Sequence, residues 1–199
     1  MSYSQNSEEA VLLDYFGDKA DGTFLEIGAF HPTRHSNTRA LIERGWSGVM
    51  VEMSPYGLVD LIESYKDNPR IRIVAGAVTI NAQPPASVWL MPKDAENDGA
   101  ISTTETWHRD KWAGRVSGKH IAMTAATISM TELMWLLPPQ IDLVSIDTEG
   151  TSAQIASAFD FDRFGVKAVV LEHDGAQEIA MPASFRVGAM NAENVIFLR

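Results

Sequence analysis

The sequence lacks cysteine throughout its 199 residues. This excludes disulfide bonds, thiolate metal sites and cysteine nucleophiles. It also lacks any apolar stretch approaching the roughly 20 residues that a membrane-spanning helix needs. The N-terminus, MSYSQNSEEAVLLDYF, has no basic region followed by an apolar run, so it does not resemble a signal peptide. We therefore expect a cytoplasmic protein with no membrane partner.

Positive charge is scarce in the chain, which has 16 Lys and Arg against 26 Asp and Glu and a formal net charge of -10. Proteins that bind the nucleic-acid backbone need clustered Lys and Arg, so we expect no nucleic-acid partner. The hydrophobic content of 45% is sufficient for one well-buried core. We therefore expect a single domain that spans residues 1–199.

Apolar, β-branched runs alternate with segments of helical periodicity along most of the chain. Such alternation predicts a parallel sheet that helices cover on both faces, in an α/β doubly wound domain. The sequence SFRVGAMNAENVIFLR adds a terminal antiparallel hairpin that turns at Asn191 to Asn194. The main strands are assigned to Phe24–Ile27, Gly48–Glu52, Ile71–Val78, Ile141–Asp147 and Val166–Glu172, and the helices to 10–16, about 37–44, about 56–67, 130–137 and 151–159.

A long polar segment follows the extra strand predicted in ASVWLMP and runs to His120 without a pattern of its own. Loops of this length are usually functional or disordered, and we assign residues 93–118 as a variable substrate loop. Trp107, His108 and Trp112 in this segment serve either as a lid and substrate platform or as anchors that hold the loop to the body.

The first strand ends in EIGAFHP, which contains Gly28 but not the G-x-G-x-x-G that cradles a dinucleotide pyrophosphate. This disfavours a nucleotide-dependent oxidoreductase. Glu52 ends the second strand, 24 residues after Gly28. A carboxylate at that point can accept hydrogen bonds from both ribose hydroxyls of a nucleoside. An acid before the glycine turn, a ribose-binding acid and no phosphate cradle together indicate S-adenosyl-L-methionine as the cofactor.

Three longer motifs resemble one known family. GAFHPTRHSNTRALIERGWSGVMVEMSP resembles the FkbM-type methyltransferases, which commonly show GA-x-x-P, SNT, GW-x-G and an acid before a proline. IDLVSIDTEG resembles the second signature of that family, and YSQNSEEAVLLDYF resembles its lead-in. Glu9 and Glu26 stand where Asp is common, and the segment 93–120 matches nothing in the family. The resemblance implies a Rossmann-like methyltransferase fold, with a mostly parallel seven-stranded sheet and a C-terminal antiparallel hairpin.

The resemblance also implies a set of cofactor contacts. Glu26 would fix the first turn and the methionine amino group, and Glu52 would bind the ribose. Residues 36–38 either cap the next helix or face the cofactor carboxylate, while the apolar pair after strand three forms the adenine wall or belongs to the core. The complete predicted cofactor set is Glu26, Gly28, Ser36, Asn37, Thr38, Glu52, Met53, Ala77, Val78 and Asp147.

Acidic side chains follow two strands that we expect to be neighbours, in the strings DTE and EHD. We predict Asp147, Glu149 and His173 as catalytic residues, with Glu172 and Asp174 beside them. Asp147 or His173 would act as a general base on an acceptor hydroxyl. Alternatively, crowded carboxylates bind Mg²⁺, which polarises the hydroxyl, although no residue is assigned as a dedicated metal ligand. Asp147 could also only cap the following helix.

The function expected from these features is O-methylation of a small polar or sugar-like acceptor by an S-adenosylmethionine-dependent methyltransferase. Methyl transfer to nitrogen, and a non-catalytic cofactor-binding module of the same fold, are the alternatives. The sequence names neither the acceptor nor the oligomeric state.

Overall fold

The computed structural model describes residues 2–93, 99–173 and 179–199, which form six helices and eleven strands. Asp174, which the sequence analysis placed beside the catalytic residues, lies outside the described residues, as does the 94–98 part of the substrate loop. The elements are α1 (Glu8–Phe16), β1 (Thr23–Ile27), α2 (Arg39–Glu43), β2 (Ser47–Glu52), α3 (Pro55–Tyr65), β3 (Ile71–Ala75), β4 (Ala77–Thr79), β5 (Ala86–Leu90), α4 (Thr106–Trp112), β6 (Ile121–Ala125), β7 (Thr127–Ser129), α5 (Met130–Leu136), β8 (Leu143–Ile146), α6 (Ser152–Ala158), β9 (Ala168–Glu172), β10 (Arg186–Met190) and β11 (Asn194–Leu198).

The main sheet has seven strands in the order β10, β11, β9, β8, β1, β2, β3. The five strands from β9 to β3 are parallel, while β11 pairs antiparallel with both β9 and β10. The first strand, β1, lies in the middle of the sheet. Strands β2 and β3 extend the sheet on one side of it, and the later strands β8 to β11 extend it on the other. The predicted fold class, a mostly parallel seven-stranded sheet with a C-terminal antiparallel hairpin, is confirmed.

Two separate hydrophobic clusters cover the two faces of this sheet. In β1, Leu25 and Ile27 belong to the cluster on the α5 and α6 side, whereas Phe24 belongs to the cluster on the side of α1, α2 and α3. Successive strand residues point to opposite faces, so a strand that is apolar at every position requires a cover on both. The main helical contributors are Leu133 and Ile155 on one face and Leu12, Leu41 and Leu61 on the other.

The third predicted strand, Ile71–Val78, is wrong at its end. Strand β3 stops at Ala75, and the chain then changes partners. The N–H of Gly76 donates to the Glu52 carbonyl of β2, but the N–H of Ala77 donates to the carbonyl of Ala126. Strand β4 therefore leaves the main sheet and pairs with β7, which carries Ala77 and Val78 over the carboxyl end of β2.

The segment predicted as a patternless loop contains helix α4, so this expectation is wrong for the residues that the structure describes. Strands β5 and β6 form an antiparallel ribbon, and α4 lies in the connection between them. The helix has seven residues, of which His108 is the buried one, so its sequence shows no apolar stripe. No helix in the described ranges is both long enough and apolar enough to cross a membrane.

Candidate functional site

A cavity of about 560 Å³ lies at the carboxyl ends of β1, β2, β8 and β9. Its volume is within the range of about 300–1,000 Å³ that is typical of small-molecule sites. In doubly wound sheets, ligands bind at this edge, where strand order reverses. Of the residues predicted from sequence, those on the cavity wall are Gly28, Glu52, Met53, Ala77, Val78, His108, Trp112, Asp147, Glu149, Glu172 and His173.

Glu52 lies at one end of the cavity with its carboxylate held by three backbone N–H groups. Oε2 accepts from Phe30 at 2.7 Å, and Oε1 accepts from Met53 at 2.9 Å and from Ser54 at 2.6 Å. Burial raises the pKa of Glu52 above its ordinary value, and these N–H groups offset part of that increase. A carboxylate has about four acceptor positions, so one remains for a ligand hydroxyl. The side chain thus fixes the first turn to β2 and still presents an acceptor to the cavity.

Glu26 does not line the cavity. Its carboxylate is buried under α2, where the Thr38 hydroxyl donates to Oε2 at 2.7 Å and the Asn37 N–H also donates. Burial raises the pKa of Glu26 to about 7, against these two donors and with a smaller contribution from Glu52. Strand alternation is the reason for this position, because Glu26 points to the same face as Phe24.

Residues 36–38 also lie off the cavity wall, at the start of α2. The predicted helix start at Asn37 is wrong by two residues, since α2 begins at Arg39 with Thr38 as its N-cap. The Ser36 hydroxyl accepts from the Arg39 N–H at 3.1 Å, and the Asn37 amide donates to the Ser145 hydroxyl at 3.2 Å. The Ser36 contact matches the capping alternative, whereas Asn37 bonds to β8 and the Thr38 hydroxyl donates to Glu26 rather than capping the helix. The direct cofactor contacts of this segment stay a prediction.

The apolar wall beside Glu52 comes from Met53 and from β4. Ala77 is buried, and Met53 packs against the cluster that contains it. Val78 also lines the cavity, on the strand that leaves the main sheet after Gly76. A wall of this kind can bind the flat face of a heterocycle next to an acid that binds its sugar.

Three carboxyl groups converge at the other end of the cavity, from the turn after β8 and the end of β9. The Glu172 Oε2 atom accepts from the Glu149 N–H at 3.0 Å and from the Ser152 hydroxyl at 2.7 Å. Asp147 shares a hydrogen bond with Glu172. Burial, followed by the charges of Glu172 and Glu149, raises the pKa of Asp147 well above its ordinary value. Perturbed acids of this type are typical of functional sites.

His173 follows β9 and lines the cavity, but it is engaged by the C-terminal hairpin. Its backbone N–H donates to the Glu193 carbonyl at 2.8 Å, and Nε2 lies 3.1 Å from the Asn191 carbonyl. A carbonyl only accepts, so Nε2 carries the proton, and Nδ1 is the nitrogen left to act as a base. Both its predicted catalytic role and a hairpin-anchoring role are compatible with this geometry.

Helix α4 supplies a further wall of the cavity. Of the three residues predicted as a lid and substrate platform or as loop anchors, His108 and Trp112 line the cavity and Trp107 does not. His108, Lys111 and Trp112 line the cavity, together with residues 99–102. The His108 side chain is 1% exposed, and its Nε2 lies 3.1 Å from Oε2 of Glu149. The signal for this contact is Gly150, whose missing side chain leaves room for α4, since a Cβ there would lie 3.3 Å from that of His108.

Strained backbone is concentrated around the cavity. Phe30, His35 and Glu149 line it, and they have φ values of 48°, 57° and 53°. Positive φ is costly for residues other than glycine and tends to persist where function requires it. At Glu149, the Thr103 hydroxyl donates to the backbone carbonyl at 2.6 Å, which holds this conformation.

The N-terminal motif closes the rim of the cavity. The Glu8 Oε1 atom accepts from the amides of Asn191 and Asn194, both at 2.8 Å, which ties α1 to the hairpin turn. The Gln5 amide donates to Glu193 at 3.0 Å, and both of these residues line the cavity.

The described cavity wall is acidic. It contains five carboxylates, and Lys111 is the single Lys or Arg among the lining residues that the structure describes. Such a wall attracts a cationic ligand and repels a pyrophosphate. The acids are Glu52, Asp147, Glu149, Glu172 and Glu193.

No protein-family model and no curated protein sequence matches the chain. Among solved structures, the Escherichia coli protein yhhF, which is described as a methyltransferase, superimposes with a TM-score of 0.52 at 10% identity, over 100% of this chain and 88% of that one. The structure of WbdD superimposes with a TM-score of 0.42 at 10% identity, over 96% of this chain and 33% of WbdD. The methyltransferase domain of METTL16 superimposes with a TM-score of 0.42 at 9% identity, over 96% of this chain and 63% of that domain. The likeness to yhhF establishes a shared fold.

Proposed function

We propose that the protein is an S-adenosylmethionine-dependent methyltransferase that methylates a hydroxyl of a small polar or sugar-like acceptor. The observation that carries this proposal is a cavity with Glu52 and an apolar wall at one end and three carboxyl groups at the other, at the ligand-binding edge of a fold shared with yhhF. The resemblance of the sequence to FkbM-type enzymes supports the same conclusion.

The residues present fit this cofactor. The remaining acceptor position of Glu52 would bind a ribose hydroxyl, and Met53, Ala77 and Val78 would contact adenine. S-adenosylmethionine supplies an electrophilic methyl group on a positively charged sulfur, and an acidic cavity favours a ligand of that charge. NAD, with its pyrophosphate, is disfavoured by the same charges.

The carboxyl groups at the far end suit removal of a proton from the acceptor. The acceptor oxygen would form a bond to the methyl carbon as the carbon–sulfur bond breaks, and the acceptor proton would pass to a carboxylate. Asp147 and Glu172 share a hydrogen bond, so one of them carries a proton, and a carboxylate that remains ionised in this group would receive the proton of the acceptor. A neutral amine is nucleophilic without such a base, so the acids favour oxygen as the acceptor atom.

The test is calorimetric titration of the full chain with S-adenosylhomocysteine and, separately, with NAD. We expect binding of the first and none of the second, and the reverse result would overturn the proposal. Labelled methyl transfer should then be measured with a panel of polyols and sugars and a matched panel of amines. Transfer to amines alone would overturn the assignment of oxygen, and binding without any transfer would indicate the non-catalytic module.

A further inference from the structure

Three potential metal ligands meet on the cavity wall from three separate elements. His108 comes from α4, Glu149 from the turn after β8, and Glu172 from the end of β9. One ligand atom from each of them lies within 4.8 Å of the other two. Within residues 2–93, 99–173 and 179–199, no other group of His, Cys, Asp and Glu has this arrangement.

The contacts of the His108 Nε2 atom cannot all be satisfied by one proton. The indole nitrogen of Trp112, 3.3 Å away, can only donate, so toward Trp112 the Nε2 atom presents its lone pair. The same Nε2 lies 3.1 Å from Oε2 of Glu149, which as a carboxylate also only accepts. A cation that takes the lone pair reconciles the imidazole with the carboxylate, and it displaces the Trp112 contact, the longer of the two.

Glu149 and Glu172 are held in place by a second layer of contacts. Ser152 and the Glu149 backbone both donate to Oε2 of Glu172, and Thr103 holds the backbone of Glu149 in its left-handed conformation. Supporting hydrogen bonds of this kind orient metal ligands and contribute to affinity. Asp147 lies against the same group and adds a further carboxyl, so a cation would also relieve the repulsion among the acids.

We infer that His108, Glu149 and Glu172 bind a divalent transition-metal ion. Two ligands that are each about 2.1 Å from a metal ion are about 3.0–3.4 Å apart in octahedral or tetrahedral geometry. The 3.1 Å between Nε2 of His108 and Oε2 of Glu149 agrees with this spacing. One imidazole and two carboxylates suit Mn²⁺, Fe²⁺ or Zn²⁺ better than Mg²⁺ or Ca²⁺, which prefer oxygen ligands alone.

Metal binding itself does not depend on the proposed function, but its use does. If the protein methylates a hydroxyl, then the ion would polarise that hydroxyl and make its proton easier to remove. Three protein ligands leave coordination positions open toward the cavity, as in other catalytic metal sites.

The test is a calorimetric titration of the full chain, freed of metal by dialysis against EDTA and then against metal-free buffer, with Mn²⁺, Zn²⁺ and Mg²⁺ and without any cofactor. We expect one Mn²⁺ or Zn²⁺ per chain and at least tenfold weaker binding of Mg²⁺. His108→Phe keeps the ring packing but removes Nε2, and it should weaken Mn²⁺ binding at least tenfold. His120→Phe is the control, because the imidazole that it removes contacts the Ile101 carbonyl and not the proposed metal site. This variant should bind Mn²⁺ as tightly as the parent protein does.

The inference would be overturned if neither Mn²⁺ nor Zn²⁺ bound. It would also be overturned if His108→Phe bound Mn²⁺ as tightly as the parent protein, or if Mg²⁺ bound as tightly as Mn²⁺. If His108→Phe does not fold, Glu149→Gln provides the same test, because it removes charge without a change of size. The two proposals fail separately. Mn²⁺ binding without S-adenosylhomocysteine binding would sink the proposed function alone, and the converse would sink the metal site alone.

Discussion

The backbone carbonyl oxygen of Asp147 occupies the space that a Cβ atom would take at Gly28. The two residues directly follow the neighbouring strands β1 and β8, and the Asp147 N–H donates to the Ile27 carbonyl at 2.9 Å. The glycine at the first turn is therefore required by contact between two parts of the protein, before any ligand binds. The resemblance implies Gly28 as a cofactor contact, and the packing against Asp147 supplies a separate reason for glycine at this position.

The first prediction concerns this contact. Gly28→Ala combines a φ of +82° with a clash against backbone, so it should lower the free energy of unfolding by about 3 kcal/mol or more, or prevent folding. Gly165→Ala is the control, because it has a φ of +62° but nothing within 4 Å, and it should cost about 1–2 kcal/mol. Urea unfolding measures both. Equal costs would mean that the contact with Asp147 contributes nothing.

The second prediction concerns Glu52. Glu52→Gln replaces one acceptor oxygen by an amide donor, which conflicts with the backbone N–H groups and removes the charge. We expect S-adenosylhomocysteine affinity to fall about tenfold or more. Glu63→Gln makes the same chemical change on an exposed side chain of α3 and should bind normally. Unchanged affinity in folded Glu52→Gln would exclude Glu52 as a cofactor ligand. The change to Ala is less informative, since it would leave three N–H groups without their acceptor.

The third prediction is a pH dependence that arises from Glu26. Its pKa is raised by burial from 4.5 to about 7. Between these values the unfolded chain has released a proton that the folded chain keeps, so the free energy of unfolding falls as pH rises and levels off above 7. Glu26→Gln removes this penalty. Its stability relative to the parent should therefore rise by up to about 3 kcal/mol between pH 4.5 and 8. A pH-independent difference, measured by urea unfolding, would contradict the raised pKa.

The fourth prediction has the opposite sign and concerns Glu8. Burial raises the pKa of this carboxyl, but hydrogen bonds from its own N–H and that of Asn6, and from the amides of Asn191 and Asn194, outweigh it and bring the pKa below 4.5. The stabilisation is present above pH 4.5 and is lost as pH falls through the folded-state pKa. Glu8→Gln should cost about 1–3 kcal/mol near pH 7 because a buried donor loses its acceptor. The cost should shrink in acid, and urea unfolding at several pH values would show whether it does.

Much of the sheet could be predicted from sequence, because an apolar strand that is buried on both faces reads as a continuous apolar run. Val169, Val170 and Leu171 show this pattern, and each is buried in the structure. The convergence of the acids was predicted for the same reason. When β8 and β9 are neighbouring parallel strands, Asp147, Glu149 and Glu172 must lie together at one edge.

The tertiary structure alone decided which side chains complete the site. His108 reaches Glu149 because the connection between β5 and β6 folds back over the sheet. A seven-residue helix with one buried residue has no apolar periodicity from which this contact could be predicted. Glu26 is turned away from the cavity because side chains alternate along β1, so an acid next to the glycine turn supports α2 instead. Local pattern determines strands and their ends, since it reflects burial of neighbouring residues. Contacts between segments far apart in sequence depend on how the connections pack, and no short motif records them.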